Sequence, residues 1–263
     1  FVPDSPLGIY RLYPEKADVG FLLNEIVTDG FSNPYHSLIF EGFARLAFER
    51  RVDLSNLFFR NNHDYLVDPS GLPNAILRGA IKKVALTGRP LNYSLIHSLL
   101  KMDAAVVAAG QALPMDGLVS VIPDYQEAGR LAMQVLAEKG HRNVAVVWSS
   151  STAMDSFNGH LLREGCLQGA TEQGLRLGEE DFFRMGQGVN QRDAFAQIIS
   201  RKRPPSAIFC MEDQMAREIA AVLPGFGSKY PENISILGCN NDRINQEQVM
   251  RFSTIALPCR EVG

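Results

Sequence analysis

Four cysteines among 263 residues, none in a C-x-x-C pair, leave no framework for a structural zinc or a thioredoxin-like redox couple. Cys166, Cys210, Cys239 and Cys259 read as reduced structural thiols, two of them at the ends of apolar strands. Histidine is almost as scarce, and His36, His63, His97, His141 and His160 show no metal-ligand spacing. Positive charge is not in surplus either. The net charge of −3 and pI near 6.0 exclude an extended nucleic-acid surface in this segment, so any DNA contact has to come from outside it. The densest basic run, Arg201-Lys202-Arg203, precedes Pro204-Pro205 and reads as a solvated helix end rather than a binding patch. No apolar run approaches membrane-spanning length, and the opening Phe-Val-Pro-Asp-Ser-Pro has neither a basic nor an apolar leader region, so no membrane partner is expected.

Catalytic signatures are missing as well. There is no G-x-S-x-G, no H-E-x-x-H and no Walker loop. Ser98-Leu99-Leu100-Lys101 matches S-x-x-K by letters but lies in an amphipathic helix without companion motifs, and Gly186-Gln187-Gly188 and Gly225-Phe226-Gly227 lack the third glycine of a dinucleotide fingerprint. The expectation is a binding protein rather than an enzyme, with no cofactor and no metal.

What the chain does have is 46% hydrophobic residues arranged as short apolar runs alternating with amphipathic segments. Strands are expected at 19–23, 57–60, 83–87, 104–108, 118–121, 144–148, 207–210 and 234–238, several of them apolar enough to be buried on both faces of a parallel sheet. Ala128, Leu131, Ala132, Val135 and Leu136 follow helical spacing, so a helix is expected over 127–139, ended by Gly140. Further helices are expected over 35–50, 93–102 with Asn92 as N-cap, 163–173, 190–201 and 213–223. Alternating β and α units imply parallel sheets with helices on both faces, and so many units suit two lobes: 19–123 and 124–255, with the boundary at Ile122-Pro123-Asp124. Residues 1–18 carry three prolines and no periodicity, and read as a linker.

Ligands of open α/β sheets bind at the carboxyl ends of the strands, which directs attention to Ala207-Ile208-Phe209-Cys210-Met211-Glu212-Asp213. Glu212 and Asp213 are adjacent at a strand end, and the simpler reading gives one a ligand contact and the other a helix cap. Trp148 also ends a strand, where it either stacks on a sugar ring or packs in the core.

A longer pattern runs from about Val19 to Gly263. Asn33-Pro34-Tyr35 precedes the first helix, and Asp124-Tyr125-Gln126-Glu127-Ala128-Gly129 marks the crossover. Gly140-His141-Arg142-Asn143-Val144-Ala145, the spaced Gly165 and Gly174, Pro205-Ser206-Ala207-Ile208-Phe209, Glu212-Asp213-Gln214-Met215-Ala216, Pro231-Glu232-Asn233-Ile234-Ser235-Ile236-Leu237-Gly238 and Ser253-Thr254-Ile255 follow in order. In this order they resemble the effector-binding region of the lactose-repressor/galactose-repressor family of bacterial transcription regulators.

That resemblance implies a two-lobed fold of the type I periplasmic-binding-protein kind, with 256–263 starting a return to the first lobe. It also implies a cytoplasmic homodimer that binds a sugar, a polyol or a related effector in the inter-lobe cleft. Closure of the lobes would then pass the signal to operator DNA through a head that precedes residue 19. Phe1-Val2 is similar to the end of the wing of gluconate-repressor-type winged helices, which suggests that kind of head.

The site residues implied are Asn33 and Tyr35 at the first strand-to-helix turn, Asp124 at the crossover, Arg163, Glu212 and Asn240, together with Trp148. Structural alternatives stand beside them: a turn at Asn33, packing for Tyr35, a cap for Asp124 and a solvent-facing Arg163. The chain departs from the family where an acidic residue often follows the strand ending at Ala109, because Gly110 stands there. It departs again where an arginine is usual, at Leu162 with Arg163 one place later, and in the turn Cys239-Asn240-Asn241. These changes count against ordinary hexose recognition. A solute-binding protein of a sugar transporter is the alternative function, and the upstream sequence separates the two.

Overall fold

The computed structural model describes residues 2–3, 10–11, 17–24, 34–59, 72, 74–87, 93–149, 156–185, 191–227, 232–242 and 252–263. They divide into two compact units, Phe1–Ile122 with Cys259–Gly263, and Pro123–Pro258, so the chain passes from one to the other twice.

In the first unit, β3 (Val19–Asn24), β4 (Leu54–Phe59), β5 (Lys83–Thr87), β6 (Ala105–Ala109) and β7 (Val119–Val121) form an all-parallel sheet in the order β4-β3-β5-β6-β7. The crossovers are α1 (Pro34–Glu49), the single turn α2 (Asn74–Leu77) and α3 (Tyr93–Lys101). Period-two alternation assigns the faces. Phe21 packs against Phe40 and Phe43 of α1 at ring separations of 5.0 and 5.2 Å, while its neighbour Leu22 points to the other side, among Ile76, Leu95, Ile96 and Leu99. Helices therefore cover both faces, which is why these strands read as continuous apolar runs.

The second unit repeats the plan. β8 (Val144–Ser149), β9 (Phe182–Met185), β10 (Ala207–Cys210), β11 (Ser235–Cys239) and β12 (Ser253–Ile255) are parallel in the order β9-β8-β10-β11-β12. Numbered by chain order within each unit, both sheets are 2-1-3-4-5. One face buries Ala145, Val147, Ile208 and Ile236 against Phe195 and Ile198 of α6 (Gln191–Ile199) and Met215, Ala216 and Ile219 of α7 (Asp213–Val222). On the alternate positions Val144, Val146, Ala207 and Phe209 are also fully buried. α4 (Tyr125–Glu138) packs along α5 (Phe157–Gln173) at backbone distance. A Cβ on Gly165 would sit 1.9 Å from the Gln126 carbonyl oxygen, one on Gly129 2.3 Å from that of Leu162, and one on Gly169 2.7 Å from that of Arg130.

β9 is absent from the sequence expectation because Phe182-Phe183-Arg184-Met185 is a partly exposed edge strand without clean alternation. α5 starts six residues earlier than expected, at an N-cap where the Ser156 hydroxyl accepts from the Gly159 amide at 3.1 Å; three of its buried positions are Gly159, Gly165 and Gly169, which add nothing to an apolar stripe. Ser253–Ile255, quoted only as a motif, is the fifth strand of its sheet. Within the stretch read as a linker, β1 (Val2–Pro3) pairs antiparallel with β2 (Tyr10–Arg11). Asn92 and Asn33 lie outside the described residues. The last helix, α8 (Cys259–Val262), belongs to the first unit and packs on α1, where a Cβ on Gly42 would meet the Arg260 carbonyl oxygen.

Candidate functional site

A 2-1-3-4-5 sheet has its topological switch point between its first and third strands, and the loops there diverge to leave a crevice at the carboxyl edge. In the second unit this is the gap between β8 and β10. Trp148 is near the end of β8, Glu212 follows β10, and Asn240 follows β11. The pairing Phe209↔Leu237, continued by three residues, sets Glu212 level with Asn240, while Cys210↔Val147 brings Trp148 one step behind. Three of the sequence-derived candidates thus share one sheet edge.

Glu212 occupies the N-cap of α7 in an extended conformation, and its side chain makes no capping bond. Asn240 has φ +102° and Asn241 φ +53°, a left-handed pair that only asparagine, aspartate and glycine tolerate readily. A buried network holds that turn. The Asp213 carboxylate accepts from the Thr254 hydroxyl at 2.7 Å and from the Asp242 amide at 2.8 Å, the Asn241 amide donates to the Thr254 hydroxyl at 3.2 Å, and Arg217 grips both oxygens of Asp242 at 2.9 and 3.1 Å. Asp213 is 1% exposed and sits on Gly238, whose missing Cβ leaves room for its carboxylate. Burial pushes the Asp213 carboxyl up to about 6, against the opposing pull of its Thr254 and Asp242 hydrogen bonds. Asp213 is therefore a positioning residue for Asn240, and the Glu212-Asp213 pair divides into a half-buried edge position and a buried anchor.

In the first unit the corresponding edge carries polar groups that the sequence reading left out. His36, 4% exposed on the first turn of α1, is 3.0 Å from the Thr87 hydroxyl at the end of β5, across that sheet's switch point. Tyr35 donates its hydroxyl to the Gly110 carbonyl at 2.6 Å, and the Gln111 Oε1 next to it is buried without a hydrogen-bond partner. Gly110 itself has φ +84°, and a Cβ there would lie 2.4 Å from Ile39 Cδ1 and 2.9 Å from the Tyr35 hydroxyl. No acidic side chain fits at that place. The signal that could have found His36 and Thr87 was their position, one at a helix start and one at a strand end flanking the same switch point.

The remaining candidates are engaged elsewhere. Asp124 is the N-cap of α4 and accepts from the Glu127 amide at 2.9 Å. Arg163 pairs with Glu179 and lies 5.3 Å from the centre of the Phe182 ring, on the flank of the edge strand β9 and away from Glu212 and Asn240. Trp148 keeps both of its alternatives, since its half-buried indole is tilted against Phe182 at 6.3 Å. All four cysteines are buried and none is in a disulfide, and burial drives the thiols of Cys166, Cys210 and Cys259 well above the ordinary range. Among the described residues there is no cluster of three metal-ligating side chains, and no helix is long and apolar enough to cross a membrane.

Comparison with known proteins gives this geometry a context. Catabolite control protein A of Priestia megaterium is 26% identical over 172 residues, which cover 64% of this chain and 50% of that protein. An HTH-type transcriptional repressor PurR from Erwinia tasmaniensis is 29% identical over 148 residues, 55% of this chain and 42% of that protein. The chain thus spans about half the length of the curated relatives it matches. Among solved structures, a LacI family transcriptional regulator from Enterococcus faecium with bound ribose superposes with a TM-score of 0.70 at 18% identity, covering 93% of this chain and 86% of that one. The profile of one family, described as the periplasmic binding protein-like domain, matches residues 118–263, from β7 through the whole second sheet to α8. With more than half of its length so matched, the chain belongs to the periplasmic binding protein-like domain family.

Proposed function

We propose that this chain is the ligand-sensing and dimerisation module of a bacterial transcription regulator, and that it binds a small sugar-like effector at the carboxyl edges of its sheets. The observation that carries the reading is the alignment of Trp148, Glu212 and Asn240 on one carboxyl edge, the first two flanking the switch point and the third on the next strand, with a buried network spent on fixing the strained Asn240 turn. An aromatic plane, a carboxylate and an amide suit a polyhydroxylated ligand, which needs an apolar face covered and several hydroxyls hydrogen-bonded. Tyr35 and the orphaned Gln111 Oε1 offer the same chemistry in the first unit. The names of the relatives support a regulator, and the bound ribose of the Enterococcus faecium protein supports a sugar-like ligand. The protein would act in the cytoplasm as a homodimer and reach operator DNA through a separate head. The HTH-type repressors among its relatives favour a helix-turn-helix head over the winged helix suggested by Phe1-Val2.

Thermal unfolding against a panel of sugars, polyols, sugar acids and nucleosides tests the reading, because a ligand that binds only the native state raises its melting temperature. One chemical class is expected to raise Tm, with the shift lost in Glu212→Ala and Asn240→Ala. No shift with any class, or a shift unchanged in both variants, removes the sugar-like effector.

A further inference from the structure

The amino edge of the second sheet carries a second polar concavity. A pocket of about 350 Å³ is lined by Asn143, Arg176, Asp181, Arg201, Lys202 and Arg203. Four of these six side chains are cationic and one is a carboxylate, in a chain whose net charge is −3. None is apolar.

Three separate segments build it. Asn143 precedes β8 and bridges Arg176, which precedes β9, while Arg201, Lys202 and Arg203 precede β10. The carboxyl end of α6 accounts for cations near its own last turn, but not for Arg176 arriving from the other side. The loop between α6 and β10 is pinned: the Asn143 side-chain Nδ2 donates to the carbonyls of Arg203 and Pro204, both at 2.8 Å, and the Ser206 backbone amide returns a bond to the Asn143 backbone carbonyl at 3.0 Å.

Asp181, buried at 3% exposure, spends both oxygens within the wall: one holds Arg201, and the other accepts from the Gly178 amide at 2.7 Å. Arg201 also lies 5.5 Å from the centre of the Phe183 ring, which fixes its plane. Arg176, Lys202 and Arg203 remain exposed, and none of them has an ion pair among the described residues. Two loops thus bring three exposed cations around an ordered guanidinium, and the positive field they sum to attracts an anion.

We propose that this pocket binds the phosphoryl group of a small free phosphate compound, at a site separate from the carboxyl-edge residues of the same unit. Guanidinium groups match phosphate oxygens two by two, and the volume is at the small end of the range for ligand pockets, about 300–1,000 Å³. The sheet stands between this pocket and the Glu212–Asn240 edge, so the two sites are occupied independently in space.

Titration of the intact chain with inorganic phosphate and with pyrophosphate, at constant ionic strength set by chloride, tests the proposal by thermal shift and calorimetry. Saturable binding is expected, weakened about tenfold or more in Arg176→Gln/Arg203→Gln and left unchanged in Glu212→Ala. Both substituted arginines are exposed, so the double variant keeps its fold; its unperturbed Tm without phosphate verifies this. Binding that is equal in the double variant overturns the proposal, as does a stabilisation that chloride reproduces at the same ionic strength. Loss of the phosphate effect in Glu212→Ala overturns it too, by assigning the anion to the carboxyl edge.

Discussion

Asp213 shows how one residue can look like a ligand group in the sequence and serve as an anchor in the fold. Its place after a buried strand is where ligand carboxylates sit, yet it is folded inward over Gly238, and the half-buried position at the sheet edge falls to Glu212. The sequence could mark the strand end but not which of two adjacent carboxylates turns inward, because that depends on a missing side chain 25 residues away. A pH dependence follows. With its folded value raised from 3.8 to about 6, the Asp213 carboxyl favours folding most when it is protonated. Its contribution is complete below about pH 4 and is lost as pH rises through about 6. Urea unfolding of the protein and of Asp213→Asn between pH 4 and 7 should show the variant gaining stability relative to the parent over that interval. The variant carries a constant penalty of about 1–3 kcal/mol, because its amide NH₂ cannot accept from both Thr254 and Asp242. Parallel pH profiles would mean that Asp213 is ionised in the fold at the same pH as in the unfolded chain.

At the scale of elements, legibility followed the physics of burial. Strands covered on both faces are readable from their apolar runs: all four residues of Ala207–Cys210, and the central Val84-Ala85-Leu86 of Lys83–Thr87. The edge strand Phe182–Met185 is not, because one side needs no apolar cover. α4 was readable from its apolar stripe, whereas the first two turns of α5 were not, because their buried positions, Gly159 and Leu162, hold a single large apolar side chain. The spaced Gly165 belongs to the family-like pattern for a physical reason: the Gln126 carbonyl occupies the place of a Cβ. Adding one methyl forces two backbones apart, since neither partner is a side chain that can rotate away. Gly165→Ala should destabilise the second unit by about 2–3 kcal/mol, the upper part of the overpacking range, despite alanine's better helix propensity. Gly174→Ala makes a useful contrast: no atom lies near its absent Cβ, but φ is +64°, so any cost there comes from backbone strain alone. Equal melting temperatures for Gly165→Ala and the parent would show that α4 and α5 separate without loss.

For the whole molecule the informative fact is the repetition of one strand order in two units joined by two chain crossings. The second unit is contiguous in sequence and holds all five of its strands between the crossings, so nothing outside Pro123–Pro258 is needed to complete its sheet. The first unit is different, because its α1 face is closed by Cys259–Gly263, which the chain reaches only after the second unit has been made. Cys259 is 1% exposed there, Gly42 admits the Arg260 backbone, and a Cβ on Gly263 would strike the Ile39 carbonyl, so this short helix is seated by shape; its exposed Arg260–Glu41 ion pair at 3.1 Å adds little. Deleting Cys259–Gly263 should therefore weaken the first unit alone, by about 1–3 kcal/mol, the scale of one or two buried side chains. Hydrogen exchange resolves this. Amides of α1 and β3 should lose about ten- to a hundredfold in protection while those of β8 and β10 keep theirs. An equal loss in both units would mean that they open as a single cooperative body, and the stability of the carboxyl-edge site around Asn240 would then depend on a helix that belongs to the other unit.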